Sequence, residues 1–127
     1  MKDKVALVTG AGSGLGRATA IRLSAEGACV ACVDTSADAV AETVQAIITA
    51  GGGALAIVAD VTDESACARM VADTVTRFGH LTTLVNSAGV RPAQPGNTPT
   101  HADWLHVLNI NLTGTYLASR AAMQSVR

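Results

Sequence analysis

Short apolar runs alternate along the chain with longer segments in which apolar residues recur at helical spacing. Three of the runs, Val5 to Thr9, Cys29 to Val33 and Ala54 to Ala59, are almost continuous, and a fourth, Leu81 to Val85, is interrupted by two threonines. Apolar runs without alternation are typical of parallel strands that are covered on both faces. The pattern therefore predicts four strands, of which the first two suit burial on both faces and the fourth is the weakest.

The segments between these runs carry apolar residues every three or four positions, as on one face of an α-helix. Helices are predicted to begin near Gly14 and Ala37, and a third follows a capping residue, Thr62 or Asp63; glycines follow all three. The predicted core-facing residues are Leu15, Ala18, Ile21 and Ala25 in the first helix, Ala37, Val40, Ala41, Val44, Ile47 and Ile48 in the second, and Cys67, Met70, Val71, Val75 and Phe78 in the third.

The remainder of the chain begins with a loop. All three prolines lie between Val90 and Thr100, which predicts irregular structure there. A short helix is predicted around Trp104 and Leu105, and another begins near Asn109 to Leu112 and runs towards Arg127. No linker interrupts the pattern, so we expect residues 1–127 to form a single domain.

The predicted strands end on polar residues at a nearly constant spacing. Thr9, Asp34, Asp60 and Asn86 are separated by 25, 26 and 26 residues. Repeated strand–helix units of constant length place successive strand ends at one edge of a parallel sheet. Ligands of open α/β sheets bind at this carboxyl edge, so the spacing predicts a binding site there.

A glycine-rich loop, Thr9-Gly10-Ala11-Gly12-Ser13-Gly14-Leu15-Gly16, joins the first strand to the first helix. Glycines let a backbone approach a pyrophosphate closely, and the amides of the following helix N-terminus attract phosphate oxygens. The loop lies after a strand, before a helix and ahead of an acidic strand end, which is the context of a dinucleotide-binding fingerprint. We therefore expect a cofactor phosphate to be bound by Gly10, Ser13, Gly14, Leu15 and Gly16.

Four segments together resemble the short-chain dehydrogenase/reductase family. Thr9 to Gly16 is similar to the family's T-G-x-x-x-G-x-G loop, and Asp60-Val61 to its adenine-side position. Asn86-Ser87-Ala88-Gly89 is similar to its N-N-A-G segment, with serine in second place, and Asn109 to Gly114 to the segment of its catalytic asparagine. The resemblance implies an α/β fold with a Rossmann-type doubly wound parallel sheet in the order 3-2-1-4, truncated after the fourth strand and the helices that follow it.

The resemblance also implies roles for individual residues. Asp60 and Val61 would contact adenine, Asn86, Ala88 and Gly89 would pass beside the nicotinamide ribose, and Asn111 would hold a water in a proton relay at a helix kink. Each polar residue has a plainer alternative. Asp60 could cap the third helix, and the Asn111 side chain could bond to neighbouring backbone.

Asp34 indicates which nicotinamide cofactor is bound. Its carboxylate can accept hydrogen bonds from the adenosine ribose of NAD, whereas the 2′-phosphate of NADP would face a like charge. Such a pair costs about 4 kcal/mol at ~4 Å in an effective dielectric of about 20. Ser13, Thr35 and Ser36 stand where NADP-using relatives typically carry basic residues, so NAD is the predicted cofactor. Asp34 could also cap the second helix, a role compatible with this one.

The family's catalytic serine and Tyr-x-x-x-Lys motif have no counterpart in this sequence. Tyr116, the one tyrosine, is followed at the motif spacing by Arg120, and a permanently charged arginine does not replace the lysine. We predict the cofactor-binding part of an NAD-dependent oxidoreductase acting on an alcohol or ketone, unable to catalyse alone. The alternatives are a non-catalytic NAD-binding module or truncated product, and a scaffold with a vestigial glycine loop.

Composition narrows the classes of partner that the protein could have. Apolar residues make up 49% of the chain and charged residues 15%, with a net charge of −1, which does not favour nucleic acid or an anionic membrane as a partner. Neither a signal peptide nor a metal site is indicated, and we expect a soluble cytoplasmic protein.

Cys29 and Cys32 resemble a redox pair, but residues three apart on a strand point to opposite faces. The unprotected edge of the fourth strand predicts that the isolated chain associates, swaps strands or is poorly soluble. A homo-oligomer is a separate expectation.

Overall fold

The computed structural model describes residues 1–90 and 100–126, and within them four strands form one parallel sheet. The strands are β1 (Val5–Thr9), β2 (Cys29–Asp34), β3 (Ala54–Val58) and β4 (Thr83–Asn86), in the order β3-β2-β1-β4. The predicted Rossmann-type sheet and its 3-2-1-4 order are confirmed. Leu81, which was predicted to begin β4, instead forms an isolated bridge with Val126.

Helices connect the strands at the predicted places. They are α1 (Gly14–Ala25), α2 (Ala37–Thr49), α3 (Glu64–Phe78), α4 (His101–Leu108) and α5 (Gly114–Met123), with a π-helical turn, Asn109–Thr113, between the last two. Ser36 caps α2 and Asp63 caps α3 by accepting hydrogen bonds from backbone amides. The cap of α2 is therefore Ser36 and not Asp34. Most of the predicted Val90–Thr100 loop, residues 91–99, lies outside the described residues.

The sheet has an apolar core on each face. Leu7, Met70 and Ala118 belong to the core under α3 and α5, and Val8 and Val40 to the core under α1 and α2. Cys29 packs against the first core and Cys32 lies within the second, as predicted for residues three apart on a strand. Both faces of β1 are covered, which explains its uninterrupted apolar sequence.

The predicted core face of α1 is wrong. Leu15 is 82% exposed and Ile21 is 39% exposed, whereas the buried residues of this helix are Gly16 and Ala20. Apolar residues occur all around α1, so their spacing does not select one face. The contact between Gly16 and the glycine loop instead determines the orientation of the helix. The predicted face of α2 is correct at Val40 and Ile47, but Ile48 is exposed and Thr43 is buried.

Candidate functional site

The glycine loop lies at the carboxyl edge of the sheet and is packed tightly. A Cβ on Gly16 would overlap the carbonyl oxygen of Gly10, so the start of α1 can approach the loop this closely only with glycine at position 16. Ser13 is the N-cap of α1 but makes no capping hydrogen bond through its side chain. In contrast, side chains cap α2, α3 and α4. The start of α1 thus keeps backbone amides that no N-cap side chain engages.

Asp34 is the last residue of β2, and its carboxylate is oriented by two backbone amides. Asp34 Oδ2 accepts a hydrogen bond from the Gly12 amide at 2.8 Å, and Oδ1 accepts one from the Ser36 amide at 3.0 Å. The side chain is half-buried beside the glycine loop. This carboxylate is therefore held next to the loop before any ligand arrives.

Arg17 is the basic residue next to the glycine loop, and the protein itself engages its guanidinium. Arg17 Nε donates to Thr43 Oγ1 at 3.0 Å, and Nη2 donates to the Ala39 carbonyl and to Glu42, both at 3.2 Å. These partners all lie on α2. The positive charge of Arg17 is consequently directed at α2 and balanced by Glu42.

Asp60 and Val61 follow the end of β3. Asp60 Oδ1 accepts hydrogen bonds from the Thr62 amide at 2.9 Å and from the Thr62 hydroxyl at 2.7 Å, so it orders the turn, while Asp63 is the residue that caps α3. Val61 is buried against the end of the π-helical turn, where a Cβ on Gly114 would come within 2.5 Å of the valine methyl group. The turn after β3 thus contacts the segment that carries Asn111.

The turn that follows β4 is held by Thr9, at the end of β1. Thr9 is buried, and its Oγ1 accepts hydrogen bonds from the amides of Ser87 and Ala88, both at 3.2 Å. Since Ser87 is bound through its backbone, the departure from asparagine at this position does not affect these contacts. Asn86 Nδ2 donates to Ser119 Oγ of α5 at 3.1 Å.

Asn111 lies within the π-helical turn, and its side-chain amide forms two hydrogen bonds with the backbone of Val90. Oδ1 accepts from the Val90 amide at 2.9 Å, and Nδ2 donates to the Val90 carbonyl at 3.1 Å. The bonds are to distant backbone rather than to the neighbouring residues of its own helix. They fasten the turn after β4 to the π-helical turn.

These segments meet around one small cavity of about 140 Å³. Its lining comes from all four strand ends or the turns after them and from the π-helical turn: Gly10, Val33, Asp34, Thr35, Ala59, Asp60, Val61, Ala88, Gly89, Val90 and Ile110. The structure thus brings the predicted residues Gly10, Asp34, Asp60, Val61, Ala88 and Gly89 together. Whether they contact a cofactor stays a prediction. Among the described residues, no group of three or more His, Cys, Asp or Glu side chains could hold a metal ion, and no helix is long and apolar enough to span a bilayer.

Other reactive side chains lie away from this cavity or are inert. Burial raises the pKa of the Cys32 thiol to about 12, and burial, followed by the charges of nearby carboxylates, raises the pKa of Cys67. Both thiols therefore stay protonated at neutral pH and are poor nucleophiles. Tyr116 is 59% exposed, and Arg120 lies 3.6 Å from Glu64 of α3. Nothing in this arrangement makes the two residues a catalytic pair.

Sequence reasoning missed three polar residues that organise the site, namely Thr9 as a partner of the turn after β4, Thr43 and Ser119. Each forms a hydrogen bond with a residue 32 to 79 positions away in the chain. Thr43 left one signal, because it lies at helical spacing between Val40 and Ile47 on an apolar face. A polar residue in such a position must find a hydrogen-bond partner inside the protein.

Comparison with known proteins identifies relatives over nearly the whole chain. The family model of short chain dehydrogenases matches residues 4–127. Levodione reductase of Leifsonia aquatica is 40% identical over 128 residues, which cover 98% of this chain and 48% of that protein. A subunit of the (2S)-[(R)-hydroxy(phenyl)methyl]succinyl-CoA dehydrogenase of Thauera aromatica is 38% identical over 121 residues, 95% of this chain and 49% of that subunit.

Solved structures agree. A dehydrogenase/reductase from Sinorhizobium meliloti 1021 superposes with a TM-score of 0.92 at 38% identity, over 99% of this chain and 50% of that one. The chain spans about half the length of the curated relatives that it matches. The family generally binds nicotinamide cofactors. The chain belongs to the short-chain dehydrogenase/reductase family, and the match is that of an N-terminal part of such proteins.

Proposed function

We propose that this chain binds NAD and forms the cofactor-binding part of an oxidoreductase that transfers hydride between NAD(H) and an alcohol or ketone. One observation carries the proposal. The glycine loop brings the start of α1, where no N-cap side chain is bound to the amides, next to the Asp34 carboxylate at the carboxyl edge of the sheet. A dinucleotide needs both features, a site for its pyrophosphate and a partner for its adenosine ribose.

The loop fits a pyrophosphate for two reasons. A Cβ on Gly14 would meet nothing within 4 Å, so the backbone around Gly14 is open to a ligand. The amides of the first turn of α1, including those of Leu15 and Gly16, point out of the helix N-terminus, where the helix dipole favours negative charge. We therefore assign the pyrophosphate to Gly10, Ser13, Gly14, Leu15 and Gly16.

The charges near Asp34 favour NAD over NADP. A 2′-phosphate would lie beside the carboxylate, and Arg17, the nearby cation, is already engaged by Thr43, Ala39 and Glu42. The repulsion between two unit charges at ~4 Å is roughly 4 kcal/mol. A third of this repulsion would already correspond to about a tenfold difference in affinity between NAD and NADP. Asp34 is accordingly the residue that selects the cofactor.

The remaining contacts extend over the sheet edge. Asp60 and Val61 would bind adenine, and Asn86, Ala88 and Gly89 would pass beside the nicotinamide ribose. The cavity of about 140 Å³ between these segments is smaller than the ~300–1,000 Å³ of typical ligand pockets, so it would enclose one part of the cofactor. The rest would lie in the open groove over the glycine loop.

The chemistry needs groups that this sequence does not contain. When bound, the nicotinamide supplies or accepts the hydride. Asn111 is the residue of this chain that we assign to proton transfer, as the holder of a water near the reacting carbonyl or hydroxyl oxygen. The sequence carries no Tyr-x-x-x-Lys motif, since Tyr116 is followed by Arg120 at the motif spacing. We therefore expect the 127-residue chain to bind NAD(H) without turning over a substrate.

Titration of the chain with NADH and with NADPH by calorimetry tests the proposal. The wild type should bind NADH at least about tenfold more tightly, and Asp34→Ala should reduce this preference to less than about threefold, because the like charge is gone. Asp38→Ala is the matched control, since Asp38 is an exposed carboxylate in the first turn of α2. Equal affinity of the wild type for both cofactors would contradict the NAD assignment, and binding of neither would contradict the function.

A further inference from the structure

Thr43 is a buried polar residue on α2 that bonds to the glycine loop. Its side chain is fully buried, and Oγ1 donates a hydrogen bond to the Ala11 carbonyl at 2.7 Å, a shorter distance than the 3.3 Å to the Ala39 carbonyl of its own helix. The same oxygen accepts a hydrogen bond from Arg17 Nε at 3.0 Å. One hydroxyl therefore joins three elements, namely the glycine loop, α1 and α2.

The loop is held at the same point from β2. The Ala11 amide donates to the Val33 carbonyl at 3.0 Å, and the Gly12 amide donates to Asp34 Oδ2 at 2.8 Å. Thr43 engages the Ala11 carbonyl, which is the remaining polar backbone group of this residue. Since Ala11 is fully buried, no water would replace Thr43 as a partner without a change in the loop.

We propose that Thr43 is a positioning residue of the dinucleotide site, which holds the glycine loop in its phosphate-binding shape before the cofactor arrives. The inference rests on the proposed function, because the loop is taken to bind the pyrophosphate of NAD. It goes beyond that function by assigning a role to a residue on α2 that does not line the cavity. Arg17 supports the arrangement, since its bonds to Thr43 and to Ala39 hold α1 against the start of α2.

Replacement of Thr43 by valine removes the hydroxyl and keeps the branched shape. The Ala11 carbonyl and Arg17 Nε would both lose their partner, and the loop would have to reorganise around a buried, unpaired carbonyl. A ligand that needs the loop should then bind more weakly, whereas a ligand that binds beside Asp34 alone should not. We expect Thr43→Val to weaken NADH and ADP by about tenfold, equal to ~1.4 kcal/mol, and adenosine by less than about twofold.

The matched control is Thr74→Val. Thr74 is also a fully buried threonine, and its hydroxyl donates to the Met70 carbonyl of its own helix, α3, at 2.7 Å. Any effect of removing a buried hydroxyl from the protein as a whole appears in both variants. Thr43→Ser retains the hydroxyl and should restore NADH affinity to within about threefold of the wild type, because the bond to Ala11 can form again.

The experiment measures Kd for NADH, ADP and adenosine by calorimetry on the four chains, with circular dichroism as a check of folding. If Thr43→Val does not fold, Thr43→Cys, in which a weak S–H donor replaces the hydroxyl, is compared in its place. Hydrogen exchange of the Gly12 amide provides a readout without ligand. It should be at least about tenfold faster in the Thr43 variant than in Thr74→Val, the change expected for a loss of ~1.4 kcal/mol in the free energy of local opening.

The outcomes separate the two proposals. Three outcomes would each overturn the positioning role of Thr43 and leave NAD binding intact. They are an equal weakening of NADH and adenosine binding by Thr43→Val, equal effects of Thr43→Val and Thr74→Val, and an unchanged exchange rate of the Gly12 amide. A folded wild-type chain that binds neither NADH nor ADP would overturn the proposed function and, with it, this inference.

Discussion

Two regions of the molecule differ in the exposure of their side chains. They are the glycine-loop region, residues 5–63, and the C-terminal region, residues 81–90 and 100–126. In the first region the polar groups of the site are bonded to one another, as in the contacts of Asp34 with Gly12 and of Thr43 with Ala11. In the second region Asn86 and Asn111 are exposed, and so are the large apolar side chains of Trp104, Leu105, Leu108, Leu112, Tyr116, Met123 and Val126.

The difference indicates which part of the site is assembled within this chain. The proposed pyrophosphate contacts lie between β1 and α1, and the proposed ribose contact, Asp34, ends β2; both of these strands have a neighbour on each side in the sheet. β4 is an edge strand of the described sheet, and the segment from α4 to Val126 carries seven exposed large apolar residues, against four, Leu15, Ile21, Ile48 and Val58, in the longer glycine-loop region. We therefore expect the first region to bind ligand by itself and the second to acquire its final environment through further contacts. Three changes test this comparison.

The largest effect is expected in the glycine-loop region, from Gly16→Val. The new side chain would overlap the Gly10 carbonyl oxygen, so α1 would have to move away from the loop. Overpacking of this kind typically costs ~1–3 kcal/mol of stability, and we expect NADH affinity to fall by at least about a hundredfold, or ~2.7 kcal/mol. Calorimetric titration and thermal unfolding measure the two effects.

Ala18→Val is the control for Gly16→Val. Ala18 is an exposed residue of α1, so valine there adds a branched side chain to the same helix without meeting the loop. We expect less than about 0.7 kcal/mol of destabilisation, from helix propensity, and unchanged binding. Tight NADH binding by Gly16→Val would show that the loop does not determine affinity, and the comparison of the two regions would lose its basis.

The second effect concerns the exposed apolar residues of the C-terminal region. We expect the 127-residue chain to associate, because among the described residues no strand pairs with the outer side of β4, and the apolar side chains of Leu112 and Met123 are exposed. The double substitution Leu112→Lys and Met123→Lys should weaken association by about tenfold, since two lysines would each have to be desolvated at the contact. Size-exclusion chromatography with light scattering measures the mass.

Ile48→Lys is the matched control for this surface. Ile48 is an apolar residue of α2 that is 50% exposed, and it belongs to the glycine-loop region. The substitution should leave the mass distribution unchanged. A wild type that is monomeric at all concentrations would contradict the expected association. Dissociation by Ile48→Lys to the same extent would contradict the assignment of the association surface to the region of Leu112 and Met123.

The smallest effect is expected from Arg120→Ala. The Arg120 and Glu64 side chains are 61% and 74% exposed and lie 3.6 Å apart, so solvent screens their attraction. Removal should cost less than about 0.5 kcal/mol in urea unfolding, as for other exposed pairs, and change NADH affinity by less than about twofold. Arg22→Ala, which breaks the exposed pair with Glu26, should behave alike. A fivefold loss of NADH affinity in Arg120→Ala would point to a role of Arg120 in the site.

The four strands and the first three helices could be predicted because helices cover both faces of the sheet, most completely at β1 and β2. Continuous apolar runs identify buried parallel strands, and the spacing of the strand ends indicates a common edge. The face of α1 could not be predicted in this way. Leu15 and Ile21 have the correct spacing but are exposed, because the close approach of Gly16 to Gly10 orients the helix and has no signature in hydrophobicity.

The location of some residues of the candidate site could be predicted from the sequence, whereas the hydrogen-bond partners of others could not. Gly10 to Gly16 and Asp34 are neighbours of strand ends, so their location follows from local sequence. The bonds of Asn111 to Val90, of Asn86 to Ser119 and of Thr43 to Ala11 depend on how distant elements pack, and the hydroxyl of an isolated threonine or serine does not reveal its partner.

Local sequence patterns were enough to predict the class of fold, the edge of the sheet where a ligand would bind and the acidic residue that would select the cofactor. These properties follow from local patterns, namely apolar runs, glycine spacing and one charged strand end. The buried face of α1, the engagement of Arg17 by α2 and the bond of Thr43 to the glycine loop depended on tertiary packing. The contacts of Arg17 and Thr43 join residues 22 to 32 positions apart, and close packing of the helices against the sheet brings them within bonding distance.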